Sequence, residues 1–264
     1  MKQERVVNRI SRVVLVLAVT LCGTAQAQDA PHKAPDTTPS PTFTPDVSPE
    51  ARAVLDRVIK HYAPFKGIKC TARHQITAPT RIIHEQVRGI EIVKPSCFRI
   101  TADGYILTTS DGRTRWRVNR QEGAYYNAPA APASLFKAIR EARELGGESI
   151  AGSGGLVTAL MCKKPMDVLT RDMSSVSVRQ MGDNQVLIFK VAKMIGTVRA
   201  GTMIGVVVPA AGPAWIRQAD IVPPDGEIFT RVVFEGWAPC DLSPEAFELD
   251  PELPRMQPTP PSEG

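Results

Sequence analysis

The sequence predicts an α+β fold built on one large antiparallel β-sheet. An amphipathic helix opens the structured part, a meander of strands follows, and a helical stretch separates this meander from a second one. Within the strands, apolar and polar side chains alternate with a period of two, and glycine or proline marks the breaks between them. Because strands are grouped with strands and helices with helices, an antiparallel sheet is favoured over alternating βα units.

The first 27 residues predict a secretory signal peptide and therefore a periplasmic protein. Basic residues precede the short apolar run Val13–Leu21, and Ala25-Gln26-Ala27 is typical of a cleavage site. Lipid attachment at Cys22 is the alternative, although Leu21 stands where a small residue is expected. Cleavage after Ala27 would remove a net charge of +3 from the chain's +5, and the remaining +2 gives little support to nucleic-acid binding.

Two further segments carry too few apolar residues to form a core. Residues 28–47, rich in Pro, Thr and Ala, predict a disordered spacer, and residues 251–264 predict a disordered tail. Residues 48–250 are then left as one domain. No run within them is long enough to span the ~30 Å hydrocarbon core of a membrane as a helix.

The domain is expected to begin with a helix. Ser48 can cap it, Pro49 suits the first helical position, and Glu50 favours the positive end of the helix dipole. Apolar residues then recur at helical spacing along one stripe, which should pack against the sheet. The stripe consists of Ala51, Val54, Leu55, Val58, Ile59 and Tyr62.

Two long strands follow the helix. Residues 67–77 alternate with a period of two, and the turn Ala78-Pro79-Thr80 leads into Arg81–Val93. The apolar residues of the second strand change face near Gly89, which predicts a bulge or bend there. Asp111-Gly112 predicts a hairpin turn later in this meander. Its remaining strands are Cys97–Ala102, Tyr105–Ser110, Arg113–Val118 and Gly123–Tyr126.

Helices and a second meander complete the predicted domain. Residues 133–145 and 156–162 are expected to be helical, with the glycine-rich loop Gly152–Gly155 between them. This loop lacks the Lys-Ser/Thr pair of a phosphate-binding loop, so a flexible connector is the simpler interpretation. The strands of the second meander are Ser175–Gln180, Val186–Val191, Met203–Val208, Trp215–Val222 and Ile228–Glu235.

Four cysteines remain after the predicted leader: Cys70, Cys97, Cys162 and Cys240. In an exported chain they can pair as disulfides in three ways, or stay as buried thiols. No C-x-x-C motif is present, so the sequence predicts neither a thioredoxin-like redox site nor a zinc knuckle.

His74 and His84 flank the first predicted hairpin and are expected to face each other across it. Two imidazoles can begin a metal site, but no third ligand accompanies them. A structural or surface pair is therefore the favoured interpretation, and no metal or cofactor is predicted.

Arg113, Arg115 and Arg117 share one face of their predicted strand. A solvated outer face explains such a run. The functional alternative is a docking patch for an acidic partner or an anionic lipid surface.

The stretch from residue 90 to residue 119 resembles the outer-membrane lipoprotein carriers, the LolA/LolB-like superfamily. The resemblance rests on Val-Lys-Pro at residues 93–95, on Phe98, and on Ser-Asp-Gly-Arg-Thr at residues 110–114 followed by Trp116. The order of helices and meanders agrees as well. The chain is most similar to an uncharacterised periplasmic branch of that superfamily.

The resemblance implies a strongly curved antiparallel sheet, an unclosed half-barrel, with helices covering its concave face. A lipid, an acyl chain or a lipoprotein would bind inside. In the carriers an arginine before this proline helps to hold the helical lid, and Lys94 takes its place here as the expected lid contact. The side chains expected to line the cavity are Phe98, Ile100, Trp116, Leu187, Phe189 and Ile216.

Three functions are compatible with the sequence. The first is a non-enzymatic periplasmic protein that binds a lipid, a lipoprotein or another hydrophobic ligand. The second is an envelope protein-interaction or stress-sensing module that uses the arginine face. The third is an enzyme, which is disfavoured because no nucleophile–base pair, metal set or cofactor loop emerges.

Overall fold

A twelve-stranded β-sheet forms the frame of the fold in the computed structural model. The structure describes residues 44–94, 97–102, 105–112, 114–119, 124–129, 153–193 and 198–249. The strands are β1 Asp46–Val47, β2 Gly67–Ala78, β3 Arg81–Val93, β4 Cys97–Ala102, β5 Tyr105–Asp111, β6 Thr114–Asn119, β7 Ala124–Pro129, β8 Met173–Met181, β9 Asn184–Val191, β10 Met203–Pro209, β11 Gln218–Val222 and β12 Phe229–Pro239. The helices are α1 Pro49–Tyr62, α2 Ser153–Met161, α3 Pro165–Thr170 and the short 3-10 helix Pro244–Phe247.

The two predicted meanders stand side by side in this sheet. Its order is β1-β8-β9-β10-β11-β12-β2-β3-β4-β5-β6-β7, so β12 joins the second meander to the first. The pairs are antiparallel except for the short parallel contact of β1 with β8. Within the described strands, β1 and β7 are the two edges and do not pair with each other. The predicted α+β class with a curved, unclosed sheet is confirmed.

Helix α1 begins and packs as the sequence predicts. The Ser48 hydroxyl accepts a hydrogen bond from the Ala51 amide at 3.1 Å and caps the helix. The stripe residues Ala51, Leu55 and Tyr62 are at most 1% exposed. They contact the sheet chiefly on β8 and β9, so the helix lies over the second meander.

The period of two in the strands gives the sheet an inner face, toward the helices, and an outer face. On β2, Ile68, Cys70 and Ala72 point to the inner face, whereas Lys69 and Thr71 point outward and are exposed. Corresponding inner positions on β3, β4 and β8 to β12 join the same buried cluster with the three α-helices. The core therefore lies between the inner face and the helix layer.

The predicted bulge at Gly89 is wrong. Gly89 pairs in register with Thr71 on one side and with Thr101 on the other. A Cβ at this position would lie 2.5 Å from the Thr101 hydroxyl oxygen. The glycine therefore permits a close approach of a neighbouring side chain, while the apolar residues change from the outer to the inner face along an unbroken strand.

A bulge does occur in the hairpin of β2 and β3, but it lies near the turn. The register shifts between Ile76 and Thr77, so that Ile76 pairs with His84 and Thr77 with Ile82. A shift of one residue moves every following side chain to the other face. His84 thereby joins His74 on the inner face, diagonally across the two strands instead of directly opposite it.

The chain after β12 crosses to the outer face. The 3-10 helix Pro244–Phe247 packs on β4 and β5, and Phe247 is 0% exposed. Phe247 lies in a second, smaller buried cluster with Val93, Cys97 and Cys240. The sheet is therefore covered on both faces in this part of the described chain.

Several predicted features differ in extent or fall outside the described residues. Asp46 and Val47, placed in the predicted spacer, form β1, and α3 was not predicted at all. The second meander's fourth strand begins at Gln218, so Trp215 and Ile216 precede it. The signal peptide with Cys22, most of the spacer, the helix at 133–145 and the tail at 251–264 lie outside the described residues.

Candidate ligand-binding site

Five of the six residues expected to line a cavity lie in the core cluster between the sheet and the helices. Phe98 and Leu187 are each 1% exposed, Phe189 is 3% and Ile100 is 8% exposed, and all four are inner-face residues of their strands. Ile216 is also buried, in the segment that connects β10 to β11. The sixth, Trp116, pairs with Thr109 through its backbone on β6. Their binding of a ligand stays a prediction.

An aromatic cluster at the end of α1 was missed by the sequence interpretation. Tyr62 meets Trp215 and Trp237 edge-on at ring-centre distances of 5.2 and 5.6 Å, and the two indoles stack at 5.2 Å. Aromatic pairs of this geometry add to the stabilisation that burial gives. The signal was present in the sequence, because two of the chain's three tryptophans stand beside the glycine-containing turns at 212 and 236.

Hydrogen bonds fix this end of α1 to the segment before β11. The Ile216 amide donates to the Tyr62 hydroxyl oxygen at 3.1 Å, and the Trp237 indole N–H donates to the Ile216 carbonyl at 2.7 Å. Burial raises the pKa of Tyr62 well above its usual range. The phenol therefore stays neutral and holds the helix end at a defined position on the sheet.

His61 lies beside the same cluster. Its ring is 4.3 Å from that of Trp215, and its buried Nε2 has no hydrogen-bond partner among the described residues. Burial, followed by the charge of Arg57, lowers the pKa of His61. The imidazole is thus held neutral against the aromatic rings.

Arg57 provides a second polar contact between α1 and the sheet. Its Nη2 donates to the Pro209 carbonyl at 2.5 Å and to Gln185 Oε1 at 3.1 Å. Both acceptors lie where β9 begins and β10 ends, at the end of this strand pair that is opposite to its connecting segment. The helix is therefore held along its length on the second meander as well as at its C-terminal end.

Lys94, the expected lid contact, lies at the junction of the sheet with α1. Its ammonium donates to the carbonyl of Ala63, the residue that follows α1, at 2.9 Å. A cation at a helix C-terminus is favourable because the last carbonyls are unpaired and carry partial negative charge. Whether this contact closes a lid stays a prediction.

The inner face becomes polar toward the β2–β3 hairpin. His74 pairs with Gln86, Ile76 with His84, and Ala72 with Arg88, so these polar side chains occupy adjacent inner-face positions. The Arg88 Nε donates to Gln86 Oε1 at 2.9 Å. Burial first, and then the charges of Arg88 and His84, lowers the pKa of His74 to about 4. Sequence reasoning paired the two histidines but missed Arg88, although the period of two places it on the same face of β3 as His84 and Ile90.

All four cysteines that follow the predicted leader are unpaired thiols. Cys70, Cys97 and Cys240 are buried, and Cys162 is partly buried. Burial raises the pKa of Cys70 to about 12, so this thiol is unreactive at neutral pH. Of the alternatives left open by the sequence, the structure shows the buried thiols.

The described part of the chain contains no group of three or more His, Cys, Asp or Glu side chains that could hold a metal ion. None of its helices is both long and apolar enough to cross a membrane. In the predicted docking patch, Arg115 and Arg117 lie on β6, for which backbone pairing is described, and Arg113 lies outside the described residues. Docking by this patch stays a prediction.

The fold defines a class of protein in which an open sheet packs a layer of helices against its apolar inner face. No protein-family model matches the chain, and no curated protein matches it in sequence. Solved structures similar to it include an uncharacterized conserved protein from Thermus thermophilus, with a TM-score of 0.47, 8% identity, and coverage of 78% of this chain and 98% of that one.

Two further similar structures carry names. A LolA superfamily protein from Nitrosomonas europaea has a TM-score of 0.37 and 9% identity, over 75% of this chain and 97% of that one. The lipoprotein LppX from Mycobacterium tuberculosis has a TM-score of 0.37 and 9% identity, over 72% of this chain and 95% of that one.

Proposed function

We propose that this chain is a non-enzymatic periplasmic protein that binds a hydrophobic ligand between the inner face of the sheet and its helical layer. The proposal rests on where the polar contacts between the helical layer and the sheet lie. Hydrogen bonds that join α1 and its end to the sheet involve Arg57, Tyr62 and Lys94. Between these contacts the layer is built from the apolar core cluster.

An apolar layer of this kind suits a lipid tail for a physical reason. Hydrophobic contacts are non-directional, so an acyl chain can replace contacts between side chains without leaving a hydrogen bond unmade. Burial contributes ~0.8 kcal/mol per CH2 group, so a chain of about ten carbons would contribute roughly 8 kcal/mol before the cost of association. No catalytic group is needed for this function. The predicted signal peptide supports the periplasmic location.

Ligand binding is tested on the purified full-length protein. Lipid extracted from it is identified by mass spectrometry, and the delipidated protein is then titrated with a fluorescent fatty acid. We expect co-purified lipid or saturable uptake. Absence of both would refute the proposal.

A pair of variants locates the site. Ile100→Trp fills space at an inner-face position that is 8% exposed and should weaken uptake, whereas Ile82→Trp changes an outer-face residue that is 52% exposed and should not. Circular dichroism confirms that both variants are folded. Equal uptake by the two variants would place the ligand elsewhere.

A further inference from the structure

The polar end of the inner face joins three basic side chains to the apolar surface. The strand pairing places three such residues on the inner face within a few residues of one another: His74 on β2, and His84 and Arg88 on β3. Ile90 and Ile92 continue the same face of β3 and are each 1% exposed in the core cluster. One side of one hairpin thus changes from basic to apolar along its length.

We propose that this basic group, called here the hairpin cluster (His74, His84 and Arg88), binds the anionic head group of an amphipathic ligand whose tail lies on the apolar inner face. The ligand class is therefore an acyl chain that ends in a carboxylate or a phosphate. This inference rests on the proposed function and specifies its ligand.

The chemistry of the cluster fits such a head group. A guanidinium can donate two parallel hydrogen bonds to a carboxylate or a phosphate, and the imidazoles supply further N–H donors. Gln86 already accepts from the Arg88 Nε at 2.9 Å, which orients the guanidinium on the inner face. Charge-assisted bonds of this kind are stronger in a partly desolvated site than in water.

The dimensions of the hairpin also fit. A strand rises ~3.4 Å per residue, so the four steps from Arg88 to Ile92 span roughly 14 Å along the inner face. This is the length scale of a medium-length acyl chain. A head group at Arg88 would let the tail run over Ile90 and Ile92 toward Phe98, which pairs with Ile92.

Because of the charges around His74, the pKa of this residue provides a direct readout of anion binding in the cluster. The charged or titratable inner-face neighbours that oppose its protonation are Arg88 and His84. The flanking inner-face positions of β4 and β12 that the structure describes, among them Ile100, Ala102 and Val232, hold no charged residue. An anion bound in the cluster would offset the positive charges and raise the pKa of His74.

The experiment compares three probes on the delipidated protein by calorimetry at pH 7: decanoate, decanol and acetate. We expect decanoate to bind about tenfold or more tightly than decanol, because a charge-assisted contact is added, and acetate to show no measurable binding. Equal affinity for decanoate and decanol would overturn the inference while leaving the proposed function standing. Binding of acetate as tight as that of decanoate would overturn the amphipathic ligand class. Failure of both decanoate and decanol to bind would overturn the proposed function and the inference together.

Variants assign the effect to the cluster. Arg88→Gln should weaken decanoate about tenfold and leave decanol unchanged. The matched control is Arg73→Gln on the outer face of β2, where Arg73 pairs with Glu85, and it should leave both affinities unchanged. An equal loss for both probes in Arg88→Gln would show a structural role and overturn the inference.

A measurement on the wild-type protein does not depend on how any variant folds. The imidazole resonances of His74 are followed by NMR through a pH titration, with and without ligand. We expect the pKa, about 4 without ligand, to rise with decanoate and not with decanol. An unchanged pKa with saturating decanoate would refute head-group binding at the cluster.

Discussion

The inner and outer faces of the sheet are both covered around β3 to β5, but by contacts of different kinds. On the inner face Ile90, Ile92 and Phe98 pack within the large core cluster, which the helices complete through apolar contacts. On the outer face the 3-10 helix Pro244–Phe247 covers a much smaller cluster. Hydrogen bonds and an ion pair hold this second cover in place.

Arg99 is the centre of the outer contact. Its guanidinium pairs with Glu91 at 2.6 Å, donates to the Ala246 carbonyl at 2.8 Å, and lies 5.6 Å from the centre of the Phe247 ring. The buried Thr109 hydroxyl donates to the Phe247 carbonyl at 2.6 Å. The hydrogen bonds to the Ala246 and Phe247 carbonyls are directional, so they define a single position for the C-terminal segment.

The two faces therefore differ in how far their contacts can rearrange: the inner face can adapt, whereas the outer face is fixed. Apolar contacts tolerate rearrangement because they have no preferred direction. Directional bonds between buried groups lose free energy when either partner moves. A ligand-binding protein with this sheet would exchange contacts on the inner face while the outer face keeps the strands in register.

The largest loss of stability is expected when a large side chain is removed from the inner face. Phe98→Ala should lower the free energy of unfolding by about 3–5 kcal/mol, because it removes a ring that is 1% exposed and leaves a cavity. Denaturant unfolding followed by circular dichroism measures the change. Met181→Ala, at a side chain 56% exposed, is the control and should change stability by less than about 0.5 kcal/mol. A loss near zero for Phe98→Ala would mean that the inner face is loosely packed there.

A smaller effect is expected from breaking the outer contact. Thr109→Val keeps the volume but removes the donor to the Phe247 carbonyl, which should cost about 1–3 kcal/mol because the carbonyl loses its partner. Hydrogen exchange of the backbone amides in residues 244–249 should speed up more than that of β2. The matched control, Thr71→Val on the exposed outer face of β2, should be nearly neutral. Uniform acceleration in both regions would show that the C-terminal segment does not detach on its own.

The pattern of the sequence predicted the inner face better than the outer one. Ser48, Pro49 and the apolar stripe fixed α1 because capping and helical spacing are local. The strand ends at Arg81, Val93, Cys97 and Ala102 were also predicted, since proline, glycine and alternation mark them. Phe98 and Leu187 were expected on the inner face through the resemblance to the carriers, because alternation alone does not decide which face points inward.

Contacts between distant segments could not be predicted in this way. The bond from Arg99 to Ala246 joins residues 147 positions apart, and no local pattern encodes it. The placement of His84 on the same face as His74 depends on a one-residue bulge that leaves no periodic signature. Gly89 was misinterpreted because a glycine within a strand marks either a bulge or a close approach, and only the neighbouring strand decides between them.

A pH-dependent loss of stability is expected from the polar end of the inner face. The pKa of His74 is lowered to about 4 in the folded state, so the unfolded state binds the proton more readily. The stabilisation is complete above the ordinary pKa of 6.5 and is lost as the pH falls toward 4. His61 acts in the same direction. The midpoint of thermal unfolding should therefore fall between about pH 7 and about pH 4.5, less steeply in His74→Gln, and identical slopes would show that His74 does not contribute.

The smallest effect is expected at Lys94, where the sheet meets the end of α1. Lys94→Met removes one exposed hydrogen bond to the Ala63 carbonyl, which should cost about 0.5–1.5 kcal/mol at most. Lys94→Arg retains a donor and a positive charge, so it should recover most of that stability. If this contact also restrains the inner face, Lys94→Met should speed hydrogen exchange at the C-terminal turn of α1, residues 59–62, while amides in residues 244–249 remain unchanged. Faster exchange in both segments would mean that the lysine stabilises the whole sheet and has no separate role at the helix.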